Sequence, residues 1–456
     1  MSLKDGQREA GREGHRQAER PDGAGMKVLL DISTLGAAEN PHQSGTRGIF
    51  RVVEHTARAL LEAPDCQAYF YAVQNRAAAQ RYFKKKLEMA APGRACFADP
   101  ALPSRWLIRM LTAAEDFLAK HYIDPPWRWL ASGRILWKLV RVLLGSVEHD
   151  VAGGLNIFHR LGGDAPGWAR RQPATLHRFV TVYDLIPDIH PEFYPVDTVR
   201  RGRRALKGLR SSDWILCISD ATRRDLLRLY PQCDPAKTLV TYLAAEDIFR
   251  PERSAEKIAS ARRNCGIPGG APYFLSVSVL EPRKNFATVI HGFADFAEAH
   301  PQDNTCLVLV GQSGWNTQAI ADALSEQQAH LRPRLIFTGF VPDADLAALY
   351  SGALAFVYMS FYEGFGLPPL EAMQCGTPVI VSNTSSLPEV VGDAGILLSP
   401  EDRRGLAEAM RLLAHDDTRR ERLAAAALDR ARDFSWNRYR ADVLAAYRRA
   451  SRASEC

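Results

Sequence analysis

Two glutamates with seven residues between them, in the stretch S-F-Y-E-G-F-G-L-P-P-L-E-A-M-Q-C-G-T-P-V-I, concentrate the chemistry of this chain. Glu363 and Glu371 enclose Gly364, Phe365, Gly366, Leu367, Pro368 and Pro369. Glycine lets a backbone come close to a ligand. Proline suits the first turn of a helix, where its missing N–H has no intrahelical role. Residues 367–376 therefore predict a loop feeding a helix that ends near Gly376, with Glu371 about one turn in. The free N–H groups and dipole of a helix start favour an anion. Two carboxylates beside such a site match a nucleotide sugar. The phosphates would take the N–H groups, one carboxylate would accept ribose hydroxyls, and the other would accept sugar hydroxyls. The bland alternative, two surface glutamates beside a turn, is disfavoured by two glycines and two prolines in one strand-to-helix connection.

Positioning such a loop requires an α/β scaffold, and the chain has the texture of one. Of 456 residues, 46% are hydrophobic and 24% charged, which excludes wholesale disorder, a collagen and a polytopic membrane protein. Lys plus Arg number 58 against 52 Asp plus Glu, too small an excess for a dedicated nucleic-acid binder. The eight cysteines form no Cys-x-x-Cys pair, so a structural zinc site is not expected. They read as reduced, buried thiols of a cytoplasmic protein. Residues 1–25 hold almost no large apolar side chain and read as a disordered tail without signal-peptide character. From Met26 on, apolar β-branched runs alternate with helical patterns: 27–33, 68–73, 178–186, 214–219 and 239–243. A helix over 51–63 would bury Val52, Ala59 and Leu60. Six more strand-like runs begin at Tyr273, forming a second doubly wound unit. The expected organisation is an N-terminal unit over 26–245, a polar linker at 246–272 and a C-terminal unit over 273–432. Amphipathic segments at 402–432 and 435–450 close the chain, with 433–456 as a C-terminal helix. Two Rossmann-like domains then face each other across a cleft. No G-x-G-x-x-G follows the first strand of either unit, which disfavours a nicotinamide oxidoreductase.

The stretch from Glu363 to Ile380 resembles the signature of retaining family 4 glycosyltransferases, which have the two-Rossmann GT-B fold. S-L-P-E-V-V-G-D-A-G, E-P-R-K-N at 281–285 and T-G-F-V-P-D-A-D-L at 338–346 also resemble that family. The likeness is nearly continuous from about 273 to 415. S-G-T-R-G-I-F-R at 44–51, T-V-Y-D-L-I-P at 181–187 and C-I-S-D-A-T-R-R-D-L at 217–226 extend it more patchily. The resemblance implies that Arg283 and Lys284 hold the donor diphosphate. Fixed cations there would stabilise charge growing as the glycosidic bond breaks. It also implies that Glu363 orients the donor sugar, Glu371 the ribose, and that backbone near Gly364, Phe365, Gly366, Leu367, Gly311, Gly339, Phe340 and Val341 packs on sugar, nucleotide and base. Taken alone, a glycine after a strand is more often just a turn. Asp343-Ala344-Asp345 matches the Asp-x-Asp pattern of metal-dependent glycosyltransferases but reads better as a helix start. The resembled family needs no metal, so neither a metal site nor a cofactor is expected.

The donor loops lie in the second unit, leaving the first for the acceptor. Gly45 and Gly48 suit a mobile loop, and Arg47 and Arg51 would meet an anionic acceptor; the family has a glycine-rich loop closing here on the diphosphate. Where the family commonly has His-Asp, this chain has Tyr183-Asp184. That replaces a titratable imidazole with a phenol. Asp184 reads as an acceptor-orienting carboxylate or a turn cap. In the insert near 104–147, Trp127, Trp129 and Trp137 are interleaved with Arg128, Arg134, Lys138 and Arg141 and no acid lies between 125 and 147, as in an interfacial helix or a core helix with snorkelling cations. The resemblance implies a metal-independent, retaining hexosyltransferase, and an overall likeness to bacterial mannosyltransferases implies GDP-mannose as donor. The acceptor would be a saccharide, polyprenyl-diphosphate-linked, at the inner membrane surface. The alternatives are a UDP-sugar synthase with a soluble acceptor and an inactive saccharide-binding protein.

Overall fold

The apolar runs assemble into two all-parallel sheets. In this computed structural model of the protein, residues 25–37, 47–72, 76–87, 96–98, 110–113, 154–161, 175–328 and 330–453 are described. The first sheet contains β1 (Met26–Asp31), β2 (Cys66–Tyr71), β3 (Cys96–Phe97), β4 (Ile157–Arg160), β5 (His177–Val182), β6 (Trp214–Cys217) and β7 (Thr238–Val240). Its order is β3-β2-β1-β4-β5-β6-β7. The second contains β8 (Tyr273–Val277), β9 (Cys306–Val310), β10 (Leu335–Gly339), β11 (Ala355–Tyr358), β12 (Val379–Ser382) and β13 (Ile396–Leu398), in the order β10-β9-β8-β11-β12-β13. In both sheets the winding reverses beside the first strand. Crevices of doubly wound sheets open there, beyond the carboxyl ends of the strands. β6, β9, β11 and β12 are buried at every position, as parallel strands covered on both faces should be.

The sequence pattern passed over β4, whose Ile-Phe pair is followed by His159 and Arg160. His159 is fully buried all the same. Its Nδ1 meets the Tyr447 hydroxyl and its Nε2 lies 2.9 Å from Thr181 Oγ1, so both ring nitrogens are partnered. Burial holds the ring down at about 3, neutral across the physiological range. Tyr447 belongs to the final helix, Trp436–Arg452, which therefore returns to the first unit. The Thr56–Tyr439 hydroxyl pair at 2.8 Å and the two-pronged Arg448–Asp65 ion pair fix the same contact.

The amphipathic run at 402–432 divides into two helices, Arg403–His415 and Asp417–Ala431. Asp416 ends one and caps the next by accepting the Arg419 N–H at 2.9 Å. Within 246–272 the chain forms a helix, Ala255–Asn264, capped by Ser254 and packed on helix Asp343–Gly352. Cys66, Cys96, Cys217, Cys233, Cys265, Cys306 and Cys375 are free thiols, five of them buried. Among the described residues no helix is long and apolar enough to cross a membrane. The tail at 1–24 and all but 110–113 of the basic aromatic insert lie outside the described residues.

Candidate active site

The carboxyl ends of both sheets open on one cleft of about 660 Å³. Its walls carry Gly48, Tyr183 and Asp184 from the first unit. From the second come Arg283, Lys284, Gly311, Phe340, Val341, Glu363, Gly364, Phe365, Gly366, Leu367 and Glu371. Gly339 sits one residue outside this lining and accepts the Gly311 N–H at 2.9 Å. Gly45 lies outside the described residues, as does the Arg47 side chain.

At the centre is a buried charge cluster. Glu363 Oε1 accepts from Lys284 Nζ at 2.6 Å and Oε2 from Arg283 Nη1 at 2.9 Å. Lys284 also donates to the Tyr358 hydroxyl at 2.7 Å. Arg283 reaches the Tyr362 carbonyl at 2.7 Å and Glu281. Burial opposes ionisation of Glu363, but the two cations overcome it and hold its carboxyl at about 2. Burial and the neighbouring Arg283 push Lys284 below the ordinary lysine range. The positions arise locally: Pro282–Lys284 is a single 3-10 turn after β8, and Asn285 follows in the left-handed region at φ 54°. Asn285 Nδ2 ties this turn to the carbonyls of Met359 and Pro400 at 3.0 and 2.7 Å, which brings it against the loop after β11.

Glu371 sits on helix Leu367–Gln374, which ends as expected before Gly376. The anion site expected at its start is reduced, however. The N-cap is Gly366 and the first three residues are Leu367, Pro368 and Pro369, so two of the four donors of a helix start do not exist. The donors that remain at this helix start are the N–H groups of Gly366 and Leu367. Burial raises Glu371 above the usual carboxylate range, opposed by Arg51, whose Nη1 donates to Oε1 at 3.0 Å. Tyr350 donates to Oε2 at 3.2 Å.

Two glycines are explained by steric contact. A Cβ at Gly364 would lie 2.3 Å from the Tyr183 carbonyl oxygen, so the two units approach here as closely as bare backbone allows. At Gly311 (φ 152°) it would lie 1.7 Å from the Ser278 oxygen, which makes this glycine a requirement of packing at the carboxyl ends of β8 and β9 as well as a cleft residue. The Phe365 ring is buried against Tyr242 and Phe434. Phe340, 45% exposed, stands at the rim.

Arg47 and Gly48 begin helix Arg47–Glu62 and are not part of a mobile loop; a Cβ at Gly48 would lie 3.0 Å from Leu367 across the cleft. Tyr183 lines the cleft, but its hydroxyl is buried without a partner among the described residues. Burial drives it well above the ordinary phenol range. Asp184 is half-buried and accepts the Ile186 N–H at 3.1 Å, the turn-cap reading; it stands in the field of Arg283, Glu363 and Lys284, and desolvation raises its carboxyl. Asp343 and Asp345 occupy the first turn of helix Asp343–Gly352, after an N-cap at Pro342. Among the described residues no three His, Cys, Asp or Glu side chains converge as a metal site.

Pattern reading missed Glu281, Tyr358, Tyr194, Trp315 and Glu389. Trp315 Nε1 donates to the Phe193 carbonyl at 2.8 Å, and Glu389 accepts the N–H groups of Asp220 and Ala221 at 2.8 and 2.9 Å. Both contacts join the two units. Nothing local marks Trp315 or Glu389, because their partners lie more than 100 positions away.

Two facing doubly wound units with a cation-carboxylate centre between them define a GT-B glycosyltransferase. Residues 257–430 match the family described as glycosyl transferases group 1, and the chain belongs to that family. It is 36% identical over 284 residues to the O-antigen chain mannosyltransferase B of Escherichia coli, covering 60% of this chain and 71% of that protein. It is 31% identical over 300 residues to the serotype-specific mannosyltransferase WbdA of Escherichia coli, covering 65% of this chain and 36% of that longer protein. Among solved structures, the sucrose-phosphate synthase of Thermosynechococcus elongatus superposes with a TM-score of 0.61 at 20% identity, covering 94% of this chain and all of that one.

Proposed function

We propose that this glycosyltransferase moves a mannosyl group from GDP-mannose onto a growing, polyprenyl-diphosphate-linked saccharide, with retention of configuration and without a metal ion or cofactor. The observation that supports it most is the convergence of Arg283, Lys284, Glu363 and Glu371 in one cleft. The names of the mannosyltransferase relatives support the sugar. Arg283 and Lys284 would leave Glu363 to bind the diphosphate, whose charge grows as the C–O bond breaks. Glu363 would then accept hydroxyls of the donor sugar, and Glu371 those of the ribose. The acceptor hydroxyl, oriented by Asp184, would attack from the face that the diphosphate leaves. Its proton would pass to the departing phosphate oxygen, so no side chain need act as a covalent nucleophile.

Thermal stabilisation by a panel of nucleotide sugars tests the donor. A ligand at about 100 times its dissociation constant adds roughly 2.7 kcal/mol, and a larger shift with UDP-hexoses than with GDP-mannose would sink the donor assignment. Glu371→Ala should weaken donor binding at least tenfold in calorimetry, since hydrogen bonds to a charged group contribute roughly 1.5–3 kcal/mol each; unchanged affinity would remove Glu371 from the ribose.

The composition of 125–147 supports docking on the cytoplasmic face of a membrane, where a lipid-linked acceptor resides. Anionic leaflets attract basic residues at roughly 1 kcal/mol each. Liposomes containing anionic lipid should therefore carry the protein in flotation, and replacing Arg128, Arg134, Lys138 and Arg141 with Gln should release it. Failure of the unaltered protein to float would reject this location.

A further inference from the structure

Arg51 is the cation of an ion-pair network and has no role in the reaction above. It projects from helix Arg47–Glu62 of the first unit into the cleft, and its side chain is only 13% exposed. Three carboxylates from three separate segments surround it. Glu371 Oε1 lies 3.0 Å from Nη1, Glu246 Oε1 3.5 Å from Nε, and Asp343 Oδ2 3.6 Å from Nη2. Its guanidinium also lies over the Phe249 ring at 5.7 Å. Such a guanidinium is poorly placed to receive an anionic acceptor.

Glu371 benefits most from this contact. It is the most buried of the three acids, 10% exposed against 32% and 33% for Asp343 and Glu246. Around it stand Arg51 from the first unit, Asp343 and Tyr350 from helix Asp343–Gly352, and the Cys375 thiol at the end of its own helix. Arg51 is the cation of that set. A carboxylate has about four acceptor positions. Arg51 and Tyr350 take one on each oxygen, which leaves one on each for a pair of vicinal hydroxyls.

We infer that Arg51 is a positioning residue for donor recognition: it keeps Glu371 ionised and aimed, so that the ribose contact of the second unit depends on a cation supplied by the first. This rests on the reading of Glu371 as the ribose ligand. Without Arg51, Glu371 would be a buried acid beside the like-charged Asp343. It would take up a proton, and a carboxylic acid receives hydroxyl hydrogen bonds less well than a carboxylate. Burial already raises the Glu371 carboxyl with Arg51 present, so removing Arg51 raises it further and moves its titration toward neutrality. Tyr350 and Cys375, both pushed upward by burial, stay protonated through this range.

The test is calorimetric binding of GDP, with UDP alongside, to the full chain from pH 5.5 to 9, each variant expressed as a ratio to wild type. The ratio cancels the titration of the nucleotide phosphate. For Arg51→Gln the loss of affinity should be tens of fold near pH 6 and shrink to a few fold near pH 9. Arg51→Lys keeps the charge and should run parallel to wild type. Arg51→Met keeps the aliphatic stem over Phe249 and replaces the Gln variant if that one does not fold. A loss equal at every pH would reduce Arg51 to packing and overturn the inference. Glu371→Gln separates the two readings. Weak binding by Glu371→Gln together with a pH-independent Arg51→Gln ratio overturns the role of Arg51 alone. Wild-type binding by Glu371→Gln overturns the ribose assignment and this inference with it.

Discussion

Lys284→Met should lower turnover about 100- to 1,000-fold while the Michaelis constant for the donor changes only a few fold, the magnitude typical of losing one electrostatic group aimed at developing charge. The ammonium is buried, 10% exposed, between Glu363 Oε1 at 2.6 Å and the Tyr358 hydroxyl at 2.7 Å. In so dry a position its charge is poorly screened, and its effect on a diphosphate is greatest when that diphosphate is leaving. Methionine retains the volume and apolar stem, and Glu363 keeps Arg283 as its counterion at 2.9 Å. The loss should therefore fall on the chemical step and not on folding. Steady-state kinetics with varied donor decides it: normal turnover with a raised Michaelis constant would make Lys284 a uniform binder.

Glu363→Gln should cost both activity and about 3–5 kcal/mol of stability, because it leaves Arg283 and Lys284 buried together with Glu281 as their remaining anion. The stability effect has a pH signature. The folded carboxyl lies at about 2, below its value in the unfolded chain. Its stabilisation is therefore fully present above the ordinary carboxylate range near pH 4.5 and is lost as pH falls toward 2. The difference in urea midpoint between wild type and Glu363→Gln should be widest at neutral pH and narrow steadily below pH 4.5. A difference that stays constant down to pH 2.5 would show that the carboxylate charge is not what holds the cluster.

The sequence alone was enough for features that depend on neighbours along the chain. The loop from Glu363 to Glu371 was legible because glycines, prolines and acids within nine residues determine a strand end, a sharp approach and a helix start. The long apolar runs were legible because buried parallel strands need them. From these two features came the two-unit architecture and the cleft, whereas Arg283, Lys284, Gly311, Gly339, Phe340 and Val341 came from the resemblance to family 4 glycosyltransferases. Caps such as Asp416 were present in the letters, yet a continuous amphipathic period across 402–432 concealed the break.

Partnerships set by packing became visible only in three dimensions. Arg51 and Glu371 are 320 positions apart, and nothing near either one selects the other; the approach of the two units does. His159 is buried because Tyr447 and Thr181, 288 and 22 positions away, satisfy both ring nitrogens. Gly48 was read as part of a mobile loop able to approach a ligand; it lies in the first turn of a helix, close to Leu367 of the second unit. The charge state of each site carboxylate was decided in the same way. Glu363 and Glu371 are chemically identical, and burial raises both; the two cations beside Glu363 overcome that burial, and the single cation beside Glu371 does not. Burial and distance enter the free energy of an ionised group directly, and neither is a property of the residues adjacent to it in the chain.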